Sequence, residues 1–137
     1  KPNLRQAMSL KGRIAFISDV PEGSGVSYGY SYVTNKPVTK IATIPVGYAD
    51  GVSRSLSNKI YGLINGKKVK QVGNITMDQM MFDVSDIENI AVGDVITLLG
   101  EDSGKIISID EWAKILNTIN YEITCRLKVR LPRAYTR

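Results

Sequence analysis

Turn-forming residues break this chain about every ten residues, and no other feature limits its fold as strongly. The stretches between the breaks alternate or are β-branched, so they read as short strands. Residues 7–18 (AMSLKGRIAFIS) alternate and then run into β-branched residues. A Pro-Glu-Gly-Ser-Gly turn leads into residues 25–33 (GVSYGYSYV), and residues 40–48 (KIATIPVGY) read as a buried strand ending at Gly47. Asn65-Gly66 is the sharpest signal. This dipeptide favours a two-residue hairpin turn, and it joins residues 59–66 to residues 67–75. Residues 79–84 (QMMFDV) and 94–101 (DVITLLGE) are two more strands, joined by the polar residues 85–93.

Helix signals come only late. Ser108-Ile109-Asp110-Glu111 is a capping box, and Trp112, Ile115 and Leu116 then recur at helical spacing. Residues 117–127 read as a second short helix, and residues 129–137 as an extended end in which Pro132 blocks further helix. Many short strands with regular turns point to a compact barrel or sandwich. There is no internal repeat.

Composition removes several function classes. The chain has no histidine, the commonest metal ligand and the commonest general base, so no metal site or serine triad is expected. The single cysteine, Cys125, excludes an internal disulfide, fits a reducing compartment and reads as a buried small hydrophobe. No apolar run is long enough to span a membrane. The net charge of +5 raises nucleic acid as a partner, but the densest basic run, Gly66 to Lys70, sits on the hairpin turn and reads as solvated. No nucleic-acid partner is expected. The length of 137 residues suits one domain. The opening Lys1-Pro2-Asn3, with no initiator Met, reads as a piece of a longer protein.

Tyr28, Tyr30 and Tyr32 lie in Val26 to Val33 with one parity, so a strand would turn them to one face. Such a stripe reads as packed core. Spacing alone does not say whether one phenol does chemistry.

Eight stretches together carry a resemblance. They are MSLKGRI (8–14), VSYG (26–29), IPVGYADG (44–51), VGNITMDQ (72–79), VGDVITLLG (92–100), ISIDEWA (107–113), TINYEI (118–123) and RLPR (130–133). In this order they resemble the C-terminal domain of the pyridoxal-phosphate-dependent alanine racemases. The resemblance implies a mainly β, small barrel-like domain over residues 1–137, with one or two short helices near its C terminus. It also implies an N-terminal α/β barrel, absent from this chain, that carries the cofactor lysine. Family members pair head to tail as homodimers whose active sites draw on both subunits. The isolated chain is therefore expected to be inactive.

The resemblance implies site residues too. Racemisation removes the Cα proton and returns one on the other face, so two acid/base groups must flank the cofactor-bound substrate. One is the barrel lysine; the other matches Tyr28, acting on the L-enantiomer. A free phenol titrates near about 10, so it needs polar help to act as a base near neutrality. Tyr48 and Arg54 match residues of the substrate entrance. Met77 and Asp78 match the segment whose methionine N–H meets the substrate carboxylate. Tyr121 matches a tyrosine that hydrogen-bonds the cofactor phosphate, a task that suits a neutral phenol donor. It leans toward alanine over serine, because the serine-racemising relatives linked to vancomycin resistance are expected to carry a smaller residue there.

The chain departs from the pattern at Asn74, where many members have arginine, and at Thr76, often cysteine. Losing a cation there weakens the case for steering an anionic substrate and could relax the corridor. The implied function is an isomerase that supplies D-alanine for peptidoglycan in the bacterial cytoplasm. Two alternatives remain: a serine or serine/alanine racemase, perhaps on a membrane-anchored parent, and a non-catalytic domain that kept the fold.

Overall fold

The computed structural model describes residues 3–136. The run at 7–18 divides into β1 (Leu10–Arg13) and β2 (Phe16–Pro21). Residues 25–33 do not form the single strand that their parity implied. They give only β3 (Gly25–Val26) and β4 (Tyr32–Val33), with a tight turn at Tyr28–Tyr30 between them. Then come β5 (Val38–Ile44), β6 (Tyr61–Ile64), β7 (Lys67–Val72), β8 (Met80–Asp83), β9 (Val95–Asp102) and β10 (Lys105–Ile107). Two helices close the chain, α1 (Ile109–Ile115) and α2 (Asn120–Arg126).

β5 stops at Ile44 rather than running to Gly47, because Pro45 has no N–H to give the ladder. The Asn65-Gly66 hairpin forms as expected, with Ile64 opposite Lys67 and both turn residues at positive φ. β10 is an addition. Ser103-Gly104, also both at positive φ, turns the chain back so that Lys105 faces Asp102.

The strands pair antiparallel in the order β1-β9-β6-β7-β8-β5-β2, with β10 on β9. β1 and β2 lie at opposite ends of that path, yet only Ile14 and Ala15 separate them. Three peptide steps reach at most about 11 Å. The sheet must therefore curl until its ends meet, which makes it barrel-like. The bend is hydrogen-bonded both ways: Ile14 N–H donates to the Asp94 carbonyl at 2.8 Å, and Ala15 N–H to the Thr43 carbonyl at 2.9 Å.

One apolar cluster fills the curl, including Ile44, Leu63, Met80, Phe82, Ile96, Leu98 and Trp112. Full burial of each such side chain is worth about 1.5–3 kcal/mol. The α1 capping box is present: Glu111 N–H donates to Ser108 Oγ at 3.3 Å, and Ser108 N–H to Glu111 Oε2 at 3.2 Å. Trp112 and Ala113 face inward from α1, and Leu116 packs inward just past its end, whereas Ile115 is 38% exposed. Cys125 is also exposed, not the buried hydrophobe expected. It sits on a helix whose inward residue is Ile123.

The tyrosine stripe fails for a backbone reason. Ser27, Gly29 and Tyr30 all have positive φ (65°, 71° and 47°), so the chain coils where an extended strand would alternate. Tyr32 packs into the core, against Val26, Ile41 and Val72, while Tyr28 and Tyr30 are exposed, the Tyr30 ring resting on Gly25. The basic hairpin residues Lys67, Lys68 and Lys70 are exposed, and the ammonium of Lys68 lies 4.3 Å over the Tyr61 ring. After α2 the chain does not run straight into an extended end: it turns at Val129 and Arg130, where Leu131 N–H donates to the Lys128 carbonyl at 3.2 Å, and it forms no helix or strand from there to Thr136; Arg137, Lys1 and Pro2 lie outside the described residues.

Candidate active site

A groove of about 530 Å³ opens beside the Tyr28 turn. Tyr28, Tyr48, Arg54, Met77 and Asp78 all line it, with Asn74 and Thr76. Five of the six residues singled out in the sequence therefore converge, from four separate segments. Tyr121, the sixth, does not line this groove. It projects from the first turn of α2 and is 74% exposed, so it is not a core tyrosine.

Close backbone approach builds one wall. Tyr48 begins a short 3-10 turn after β5, and its N–H donates to the Thr76 carbonyl at 3.0 Å. Ala49 N–H donates to the Met77 carbonyl at 2.9 Å. Gly47 permits this contact, because a Cβ there would fall 2.2 Å from the Thr76 oxygen and 2.5 Å from the Met77 oxygen. Met77 N–H makes no hydrogen bond among the described residues, which leaves a donor free for a ligand. Arg54 likewise has no ion-pair partner among them.

A buried carboxylate ties the wall together. Asp50 is 3% exposed, and its Oδ2 accepts Gly47 N–H at 2.9 Å. Arg130 holds both carboxylate oxygens: Nε donates to Oδ1, and an NH2 nitrogen to Oδ2 at 3.1 Å. The same nitrogen reaches Asp78 Oδ1 at 2.7 Å. Burial pushes the Asp50 carboxyl up, but the hydrogen bonds from Arg130 and Gly47 outweigh it and hold the group below the usual carboxylate range. Lys128 N–H donates to the Asp50 carbonyl at 3.0 Å, which ties the chain just after α2 to the Tyr48 turn.

Sequence reasoning missed Asp50 and Arg130. Both stand inside stretches that carry the resemblance, GYADG and RLPR, but nothing local marks them as partners. Ser27 was missed as well. Its φ of 65° and ψ of −175° lie in a region that is essentially glycine's, at a cost of order 1–3 kcal/mol. Asn74 is not a passive gap in the corridor, since its Nδ2 donates to the Tyr28 carbonyl at 2.7 Å.

Pyridoxal phosphate, implied by the resemblance, fits this chain in part. The exposed phenol of Tyr121 is free to donate to a phosphate oxygen, and the exposed phenol of Tyr28 opens on the groove. The groove lining holds no lysine, so these residues suit contacts at the edge of a cofactor held mainly elsewhere.

The curled sheet thus carries an exposed Tyr28 turn beside an open groove. Residues 7–135 match the family model described as alanine racemase, C-terminal domain. The chain is 50% identical over 133 residues to an alanine racemase of Methanococcus maripaludis, and 47% identical over 133 residues to alanine racemase 2 of Caldanaerobacter subterraneus subsp. tengcongensis. Each match covers 97% of this chain, but 35% and 34% of those relatives. An alanine racemase structure from Clostridium difficile superposes with a TM-score of 0.88 at 42% identity, covering 97% of this chain and 34% of that one. The chain belongs to the alanine racemase family, as its C-terminal domain. It spans about a third of the length of the curated relatives it matches.

Proposed function

We propose that this chain is the C-terminal third of an alanine racemase that interconverts L- and D-alanine, with Tyr28 as the acid/base group for the L-enantiomer. The observation that carries this reading is the convergence of Tyr28, Tyr48, Arg54 and Met77 on one groove. Pyridoxal phosphate, when bound, supplies the electron sink that makes the Cα proton removable. The Tyr28 oxygen takes that proton from L-alanine and gives one back in the reverse direction. The free Met77 N–H holds the substrate carboxylate, and Asp78, braced by Arg130, shapes that segment. Tyr48 and Arg54 narrow the entrance, while the Tyr121 phenol donates to the cofactor phosphate. Tyr28 and Tyr121 do not share a groove, in keeping with a head-to-tail homodimer whose sites draw on both subunits. D-alanine made this way feeds peptidoglycan, in the cytoplasm.

The test is racemisation of L-alanine and L-serine, side by side, by the full-length protein with pyridoxal phosphate. Strong preference for alanine is expected. Equal or better turnover of serine would refute the substrate assignment, and no turnover of either would refute the enzymatic reading.

A further inference from the structure

The turn that carries Tyr28 is exposed at Tyr28, Gly29 and Tyr30, and its apolar contact is the Tyr30 ring lying on the Gly25 backbone, where a Cβ would fall 1.6 Å from the ring. Polar bonds hold it as well, and they hold both ends. At the entry, Ser27 Oγ donates to the Asn74 carbonyl at 2.7 Å, and Asn74 Nδ2 donates back to the Tyr28 carbonyl at 2.7 Å. At the exit, Asn58 Nδ2 donates to Ser31 Oγ at 3.0 Å.

Both asparagines are rooted in the sheet. Asn58 Oδ1 accepts Gly73 N–H at 2.7 Å, and Asn58 N–H donates to Gln71 Oε1 at 2.8 Å. Gln71 is fully buried on β7 and spends its Nε2 on the Val72 and Gly73 carbonyls, at 3.2 Å and 2.9 Å. Gly73, at φ 79°, lets this segment press on the turn, because a Cβ there would fall 2.6 Å from the Val26 oxygen. A backbone as unfavourable as that of Ser27 persists only where its surroundings over-determine it.

We propose that Asn74 and Asn58, rooted on Gln71, form a two-ended latch that fixes the Tyr28 phenol over the groove. Asn74 is then a positioning residue for proton transfer on the L side. This rests on the reading of Tyr28 as the acid/base group. The latch acts on one face of the substrate only. Loosening it slows proton exchange of L-alanine and spares exchange of D-alanine, which uses the opposite group.

The experiment uses the full-length, pyridoxal-phosphate-loaded protein and compares Asn74→Ala, Ser27→Gly and Tyr28→Phe. Ser27→Gly removes the hydroxyl while suiting the backbone, so it decides the matter if Asn74→Ala does not fold. Exchange of the α-proton of each enantiomer in deuterated water is followed by NMR, with kcat and KM. A misplacement of about 1 Å can cost up to about 100-fold, so Asn74→Ala and Ser27→Gly should slow L-alanine exchange and kcat by about 10-fold or more. D-alanine exchange and KM should stay near their wild-type values, because neither the opposite acid/base group nor the carboxylate contact at Met77 is altered. Wild-type L-alanine exchange in both latch variants, with exchange lost in Tyr28→Phe, overturns the latch. An equal fall for both enantiomers overturns it too, since that is general loosening. Wild-type L-alanine exchange in Tyr28→Phe removes the Tyr28 reading itself.

Discussion

Gly47→Ala puts one methyl group between two backbone segments of the candidate site. The added Cβ would lie 2.2 Å from the Thr76 carbonyl oxygen and 2.5 Å from that of Met77. Carbon meets a carbonyl oxygen no closer than about 3.3 Å, so one segment must shift by about 1 Å. Neither obstacle is a rotatable side chain. The shift breaks or stretches the bonds from Tyr48 and Ala49 N–H to those same carbonyls. Overpacking of this kind costs about 1–3 kcal/mol. It also moves the Met77 N–H, and a misplacement of about 1 Å can cost up to about 100-fold in turnover. Two assays on the full-length protein separate the consequences: thermal unfolding, and kcat and KM for L-alanine. A lowered Tm and raised KM are expected together. A lowered Tm with unchanged kinetics would remove Met77 from substrate binding. An unchanged Tm would refute the close-approach argument for Gly47.

Tyr28→Phe in the full-length protein should lower kcat/KM equally in both directions, because the overall equilibrium cannot change. It should leave cofactor absorbance and D-alanine proton exchange intact. Phe82 is fully buried, so Phe82→Ala should cost about 3–5 kcal/mol and lower Tm by about 10 °C or more, read by calorimetry. Stability should also fall with acidification. Burial pushes the Asp83 carboxyl up, but hydrogen bonds from Ser85 and Lys36 outweigh it and hold it below the usual range; Asp50 is likewise lowered. Each therefore contributes stability above its unfolded value of about 3.9, lost as pH falls through the lower folded value. Asp83→Asn should flatten the slope of stability against pH below about pH 4, measured by urea unfolding; an unchanged slope there would refute the assignment.

Where residues that decide a feature are neighbours in the chain, the feature was legible. The Asn65-Gly66 hairpin and the Ser108–Glu111 box each depend on a few adjacent residues, and both formed as read. The parity of Tyr28, Tyr30 and Tyr32 misled because periodicity assumes an extended backbone, and here three positive φ values coil it. Ile115 misled in a similar way, since helical spacing allows several inward faces and the packing of Trp112 and Ala113 selected one.

By itself, the sequence determined a β domain of short strands with a late helical pair, and its motifs named most of the candidate site. Tertiary structure decided the rest. It closed the sheet through the bend at Ile14 and Ala15, and paired Asp50 with Arg130 across 80 residues. It also seated Ser27 on Asn74 across 47 residues. Such contacts leave no periodic trace, because what brings the partners together is the register of the intervening strands rather than anything near either residue.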